Sequence, residues 1–215
     1  MNSPINKYLK YSYLFLYYAL ISYFTFLMVF ITLQYIPIDF KAAFLNLKEE
    51  EIKLTHYQVA FFSHVCTSIF ALITGITQFS VYIRNKYSQI HRFLGKTYIL
   101  IVLLIASPSG LIMAYYANGG FYPQLSFSIQ AILWFYFTYL AFKFAKSKQW
   151  TEHKNFMLRS FALTLSAISL RLIKLGIVST IELPPMDTYR IVAWAGWLVN
   201  LMIVEIYIYY CLVIG

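Results

Sequence analysis

Charge is scarce in this chain. Charged residues make up 12% of its 215 residues, and only eight of them are acidic. A soluble domain carries about a quarter charged residues, so an ordinary water-facing surface is excluded. Cysteine is limited to Cys66 and Cys211, both inside apolar runs and towards opposite sides of the bilayer, so no disulfide is expected. Several catalytic patterns are missing as well. There is no His-Glu-x-x-His pair for a hydrolytic metal, no Ser-His-Asp set and no glycine-rich phosphate loop. No basic-aromatic domain stands outside the apolar runs, which argues against nucleic acid despite a formal charge of +9.

What is present is apolar and aromatic. Hydrophobic residues are 60% of the chain. They gather into runs of about 20 or more, enough to cross a ~30 Å hydrocarbon core as helix. A β-barrel would instead show alternating segments of ~10 residues. The expected fold class is all-α, a polytopic transmembrane bundle of about six spans: 8–36, 57–82, 97–117, 125–143, 156–179 and 190–213. The whole of 1–215 reads as one transmembrane domain, its first run a span rather than a cleavable leader.

The charges are placed asymmetrically. Lys7 and Lys10, then Arg84, Lys86, Arg92 and Lys96, then Lys143, Lys146, Lys148, Lys154 and Arg159 fall at one side of the spans, with Glu152 as their acidic company. Asp39, Glu49, Glu50, Glu51, Glu182 and Asp187 fall at the other. Cytoplasmic loops carry such an excess of Lys and Arg. Both termini are therefore expected inside, in a multi-pass membrane protein that contacts the lipid bilayer and, in one reading, other membrane subunits. The acidic run Lys48-Glu49-Glu50-Glu51 suggests a short amphipathic helix on the outer surface. Tyr (20) and Phe (19) are abundant, and many tyrosines, Tyr17, Tyr57, Tyr98, Tyr115 and Tyr209 among them, fall near span ends as interfacial belts do.

Polar residues within the spans are costly and usually face the bundle interior. His64, Ser68, Ala71, Gly75 and Gln78 share one helical face, and Ser160, Thr164, Ala167, Arg171 and Lys174 repeat the same offsets. His91, Gly95 and Tyr98 form a third stripe. Small residues let helices approach closely, so the second, third and fifth spans are expected to pack together, with His64 beside Arg171 about 10 Å below the outer boundary. Lys174 is expected to snorkel outwards. Gln78, Arg84, His91, His153, Arg159 and Glu205 form a richer layer near the inner boundary. His91 and His153 each open a helix after a basic loop, as if a helical hairpin were duplicated. Facing imidazoles can hold haem iron axially, with Arg92 or Arg159 neutralising propionates. His91 and His153 are thus candidate ligands of a b-type haem, and His64, Arg171, Gln78, Arg84 and Arg159 complete the candidate cofactor-binding set. Redox chemistry with haem or quinone is one expectation. Binding or transport of an anionic lipid or small anion through Arg84, Arg159 and Arg171 is another, and a structural subunit of a larger complex a third.

These residues also carry a resemblance. His64 with Gly75 and Gln78, then Arg84, His91-Arg92-Phe93-Leu94-Gly95-Lys96-Thr97-Tyr98, Pro108, Gly110, Gly119-Gly120, Trp134, His153 with Met157, Arg159 and Ser160, and finally Arg171 resemble the domain-of-unknown-function family 2306 of bacterial membrane proteins. The resemblance runs over about 57–175. Phe156 stands where a Trp is common and Lys96 where an Arg is frequent. It implies a multi-span bundle and leaves the activity open.

Overall fold

The computed structural model describes residues 4–213. Every regular element among them is helical. Helix α1 (Pro4–Leu33) starts on a proline, which costs nothing at a position whose N–H has no helical partner. The side chains of Lys7, Lys10 and Tyr17 lie outside the description. Two 3-10 turns, Ala43–Leu47 and Glu51–Lys53, lead into α2 (Thr55–Gln78). Ser80 caps α3 (Val81–Lys86), its hydroxyl accepting the Ile83 N–H at 3.3 Å.

The next rod is α4 (Ser88–Ile101), a π turn (Val102–Ala106) and α5 (Ser107–Tyr115). Pro108 explains the π turn. It lacks an N–H and its ring crowds the carbonyl four residues back. The backbone widens instead, and the Ser107 N–H reaches the Val102 carbonyl five residues earlier. Gly119 (φ 88°) and Gly120 (φ 81°) make the turn into α6 (Phe121–Lys146) in a region of φ that side chains avoid. α7 (Trp150–Thr164) and α8 (Ser166–Thr180) are bent by 44° at Leu165. Pro184 and Pro185 then open α9 (Pro185–Val213).

Four helical stretches are long and apolar enough to cross a membrane: Thr55–Gln78, Ser88–Tyr115, Phe121–Lys146 and Pro185–Val213. The bent α7–α8 pair makes a fifth if it is one span, and Tyr18–Leu33 within α1 is a shorter apolar stretch. Many large apolar side chains on these helices are exposed, among them Phe15, Phe26, Phe70, Leu104, Tyr136 and Ile206. A surface of this kind is satisfied by lipid rather than water.

The core lies where α4, α6, α7 and α9 meet, around Tyr98, Val102, Ala106, Trp134, Met157, Phe161 and Trp197. α2 joins it through Gly75, where an added Cβ would stand 2.4 Å from the Phe161 ring. α2 packs on both α4 and α5, whereas α8 packs chiefly on α9. A second apolar cluster, Tyr35, Leu45, Ile52, Tyr57 and Phe61, closes the end of the bundle that carries the acidic loops.

That end corrects one expectation. The 37–54 loop forms two 3-10 turns in place of one amphipathic helix. Its 3-10 turns fold down onto Tyr57 and Phe61, and Lys48 is 1% exposed. The buried ammonium donates to Glu51 Oε1 at 3.0 Å and also to the Tyr116 carbonyl and Asn118 Oδ1. A buried cation needs such partners, and three oxygens from two loops supply them.

Candidate functional site

The basic end brings four expected residues together. Gln78 ends α2 and lies against the first turns of α4. With its amide oriented to satisfy both neighbours, its nitrogen donates to the His91 carbonyl (3.3 Å) and its oxygen accepts the Gly95 N–H (3.2 Å). A Cβ at Gly95 would lie 2.8 Å from that amide, so glycine is what allows the approach. Gln78 therefore fixes the start of α4, and His91 with it. His91 and His153 are both half-buried and both the fourth residue of their helices. His153 Nδ1 donates to the Ala141 carbonyl at 2.8 Å, and its ring meets Trp150 edge-on. The carbonyl acceptor sets the tautomer and leaves Nε2 with its lone pair. Arg84 of α3 and His153 are the electrostatic neighbours of His91.

Arg159 is placed differently. Its Nε and Nη2 donate to the two carboxylate oxygens of Glu205 on α9, at 2.5 and 2.8 Å, and Glu152 also acts on it. Of the two acids at this end, Glu205 is the one bonded to Arg159. Arg84 is exposed and makes no ion pair among the described residues.

The expected pairing of His64 with Arg171 does not form. His64 Nδ1 donates to the Ala106 carbonyl at 2.8 Å, has Ser109 Oγ at 3.3 Å, and its ring stands edge-on to Trp134. Its contacts are with the π turn, α5 and α6. Arg171 is exposed on α8, where Nη1 donates to the Ala167 carbonyl of its own helix at 2.6 Å. The 44° bend at Leu165 is the reason, since it turns α8 onto α9 and away from α2. The Ser160–Thr164 part of the stripe does reach the core, but it faces α4 and α6. Lys174 is exposed, as expected of a snorkelling residue.

The interior holds a network that joins the stripe of Tyr98 to that of Ser160 and Thr164, as the expected packing of the third and fifth spans requires, and adds Trp134 and Thr138 of α6. The Tyr98 hydroxyl, fully buried, lies 2.7 Å from Ser160 Oγ and 2.8 Å from Thr164 Oγ1, and accepts the Trp134 N–H at 3.5 Å. Thr138 Oγ1 joins at 2.6 Å from Ser160. Tyr98 is therefore a core residue and not part of an interfacial belt. Tyr57 is also buried, whereas Tyr115 and Tyr209 are exposed as belts require. Near the α7–α8 bend, Asn200 of α9 takes the Ser169 hydroxyl (2.8 Å) and donates to the Ala162 carbonyl (3.1 Å), and Gln130 donates to Ser166 (2.5 Å). Neither Gln130 nor Asn200 stood out in sequence, because each is a single amide in an apolar run.

At the acidic end, exposed His56 bonds the Tyr116 hydroxyl at 2.6 Å. Beside it a cavity of about 640 Å³ runs between α2 and α5, lined by Val59, Ser63, Leu104, Pro108 and Ser109 among others. A smaller one of about 240 Å³ lies between α1 and the α7–α8 bend. Neither borders His91 or His153. No group of three or more His, Cys, Asp and Glu able to hold a metal ion occurs among the described residues, a test that haem, needing only two axial ligands, does not depend on.

No curated protein and no solved structure matches the chain. A model of the predicted membrane proteins of family DUF2306 matches residues 61–208, from α2 through most of α9. That covers more than half of the chain, and it takes in the basic-end cluster, the hydroxyl network and the bent helix together. The chain belongs to the DUF2306 family of predicted membrane proteins.

Proposed function

We propose that this integral membrane protein binds an anionic, phosphate-bearing headgroup at its basic end, between Arg84, His91 and His153. The observation that carries the reading is the distribution of carboxylates. Glu205 is bonded to Arg159, while Arg84 makes no ion pair among the described residues and stands in the electrostatic neighbourhood of His91, as His153 does. A cationic neighbourhood of this kind favours an anion, and guanidinium hydrogen bonds to phosphate are among the stronger polar contacts. Anionic lipids of the cytoplasmic leaflet supply such groups. In this reading the protein crosses a bacterial inner membrane six times, α1 being the first span and α7–α8 the fifth, with both termini cytoplasmic.

The test is lipid binding in nanodiscs. Wild type should prefer phosphatidylglycerol over phosphatidylcholine, and Arg84→Gln together with His91→Gln should weaken that preference about tenfold, the worth of one charge-assisted bond. An unchanged preference removes the proposal.

A second reading rests on the His153 hydrogen bond. An imidazole whose Nδ1–H is tied to a carbonyl presents Nε2 in the manner of a metal ligand. His153 and His91 are then the axial pair of a b-type haem, and quinone is its natural redox partner. Protein from haem-replete cells should show a Soret band that moves on reduction and is lost in His153→Ala. Colourless wild-type protein ends this reading and leaves the first standing.

A further inference from the structure

At the acidic end, the cavity between α2 and α5 carries a polar pair at its mouth. Its volume is about 640 Å³, and it runs on α2 from Thr55 and His56 to Ser63 and on the facing rod from Ile112 to Leu104. His56 is the second residue of a helix long and apolar enough to cross a membrane, so it stands at the membrane boundary. Ser63 lies roughly 10 Å below it at 1.5 Å per residue. Beneath the mouth the groove is apolar. The Ser63 and Ser109 hydroxyls donate to the Ala60 and Ile105 carbonyls of their own rods, and no Lys, Arg, Asp or Glu borders the cavity. Val59 and Leu104 on its walls are exposed, so it opens onto the lipid-facing surface. At the mouth, His56 Nε2 and the Tyr116 hydroxyl are 2.6 Å apart, and His56 Nδ1 forms no hydrogen bond among the described residues.

We propose that this groove binds a quinone bearing an apolar chain, and the corresponding quinol, with the ring at His56 and the chain running towards Ser63. Three features select this ligand. The absence of a bordering charge favours a neutral head over a phosphate or carboxylate, since a buried anion needs a partner. The volume lies within the roughly 300–1,000 Å³ of small-molecule sites, and the groove descends from the boundary into the apolar layer as a ring with a tail requires. The third feature is the polarity of the His56–Tyr116 pair. When the Tyr116 O–H donates to Nε2, the proton of the neutral imidazole is on Nδ1, a donor for a quinone carbonyl. When Nε2–H donates to the Tyr116 oxygen, Nδ1 keeps its lone pair and accepts a quinol O–H. The pair thus meets both oxidation states without a change of charge. The site lies apart from His91 and His153 and holds whatever the basic end binds.

The experiment is equilibrium binding of decylubiquinone, and of decylubiquinol under anaerobic conditions, to the full-length protein in a nonionic detergent. Decanol and dioleoylphosphatidylglycerol are the comparison probes. Quinone and quinol should bind with similar affinity, and decanol at least tenfold more weakly. His56→Phe, which keeps a ring and removes its nitrogens, should weaken quinone and quinol about fivefold, the worth of one hydrogen bond, and leave decanol unchanged. His56→Gln, which keeps a donor and an acceptor in one side chain, should lose less. Ser63→Phe, which fills the deep end, should weaken all three chain-bearing probes alike. The Arg84→Gln, His91→Gln double variant should bind quinone as wild type does. Equal quinone binding by wild type and His56→Phe overturns the proposal. So does decanol binding as tightly as decylubiquinone, which would make the occupant a simple hydroxyl amphiphile, or tighter binding of phosphatidylglycerol, which would make it a bilayer lipid. Loss of quinone binding in the double variant overturns it too, because the ring would then sit at the basic end.

Discussion

At the acidic end a lysine is buried and tied by three oxygens; at the basic end an arginine and two imidazoles share a neighbourhood without a carboxylate. Lys48 links two loops, and its partners are a side chain three residues away and two groups of the Tyr116–Asn118 turn. Arg84, His91 and His153 come from three helices and use their polar atoms on one another's surroundings only in part. Glu205, the acid on α9 at this end, is held by Arg159 in two hydrogen bonds. The contrast separates charge that holds the fold from charge left open to a ligand.

The comparison breaks most severely at Lys48. Lys48→Met keeps the stem and removes the ammonium, leaving the Tyr116 carbonyl and Asn118 without their donor. Each orphaned buried acceptor costs about 1–3 kcal/mol, so a loss of roughly 3 kcal/mol is expected in thermal unfolding in detergent. Arg84→Gln should change the same measurement by less than about 0.5 kcal/mol, as surface substitutions do. If the two variants melt alike, the two ends are not different in kind.

Tyr98→Phe probes the region between them. The change removes one hydroxyl from the centre of a buried network and strands Trp134 Nε1, while Ser160 keeps Thr138 and Thr164 keeps the Ser160 carbonyl. The expected loss is about 2 kcal/mol, with no change in lipid preference at the basic end. A changed preference with unchanged stability would make the network part of the site rather than its scaffold.

The helices, the apolar surface and the basic-end cluster were legible in the sequence because each depends on local spacing. Runs of about 20 apolar residues specify spans. Loop charges sort the two ends, and His91 and His153 hold the same position in their helices. The errors share a cause. The stripe from Ser160 to Lys174 assumes one straight helix, but the chain bends at Leu165, where Ser166 donates to the Leu163 carbonyl and Gln130 donates to Ser166. Arg171 is thereby carried away from His64. Lys48 was misplaced because an acidic surface run resembles a solvated face, and its acceptors lie in a turn about seventy residues later. Tyr98 sits where belts sit but also on an inward stripe with His91 and Gly95, and its partners from α6 and α7 decide for the core. Pairings distant in sequence leave no periodic trace.

The smallest effect sharpens the comparison through pH. Burial raises the Glu51 carboxyl pKa, but the Lys48 hydrogen bond, a backbone hydrogen bond and the Lys48 charge outweigh it, so the group titrates below its ordinary 4.5. A depressed folded-state pKa means that folding favours the carboxylate. The stabilisation is complete above the unfolded value of 4.5 and is lost as pH falls through the lower folded value. Unfolding midpoints measured on either side of that window should therefore drop on acidification, by less than about 1 kcal/mol because Glu51 is partly exposed and screened. In Lys48→Met the cation that holds the carboxylate is gone, and only the backbone hydrogen bond is left to oppose burial. The acid-side loss contributed by Glu51 should shrink in that variant and persist in Arg84→Gln. Equal acid sensitivity in both variants would show that the Lys48–Glu51 tie contributes nothing to closing this end of the bundle.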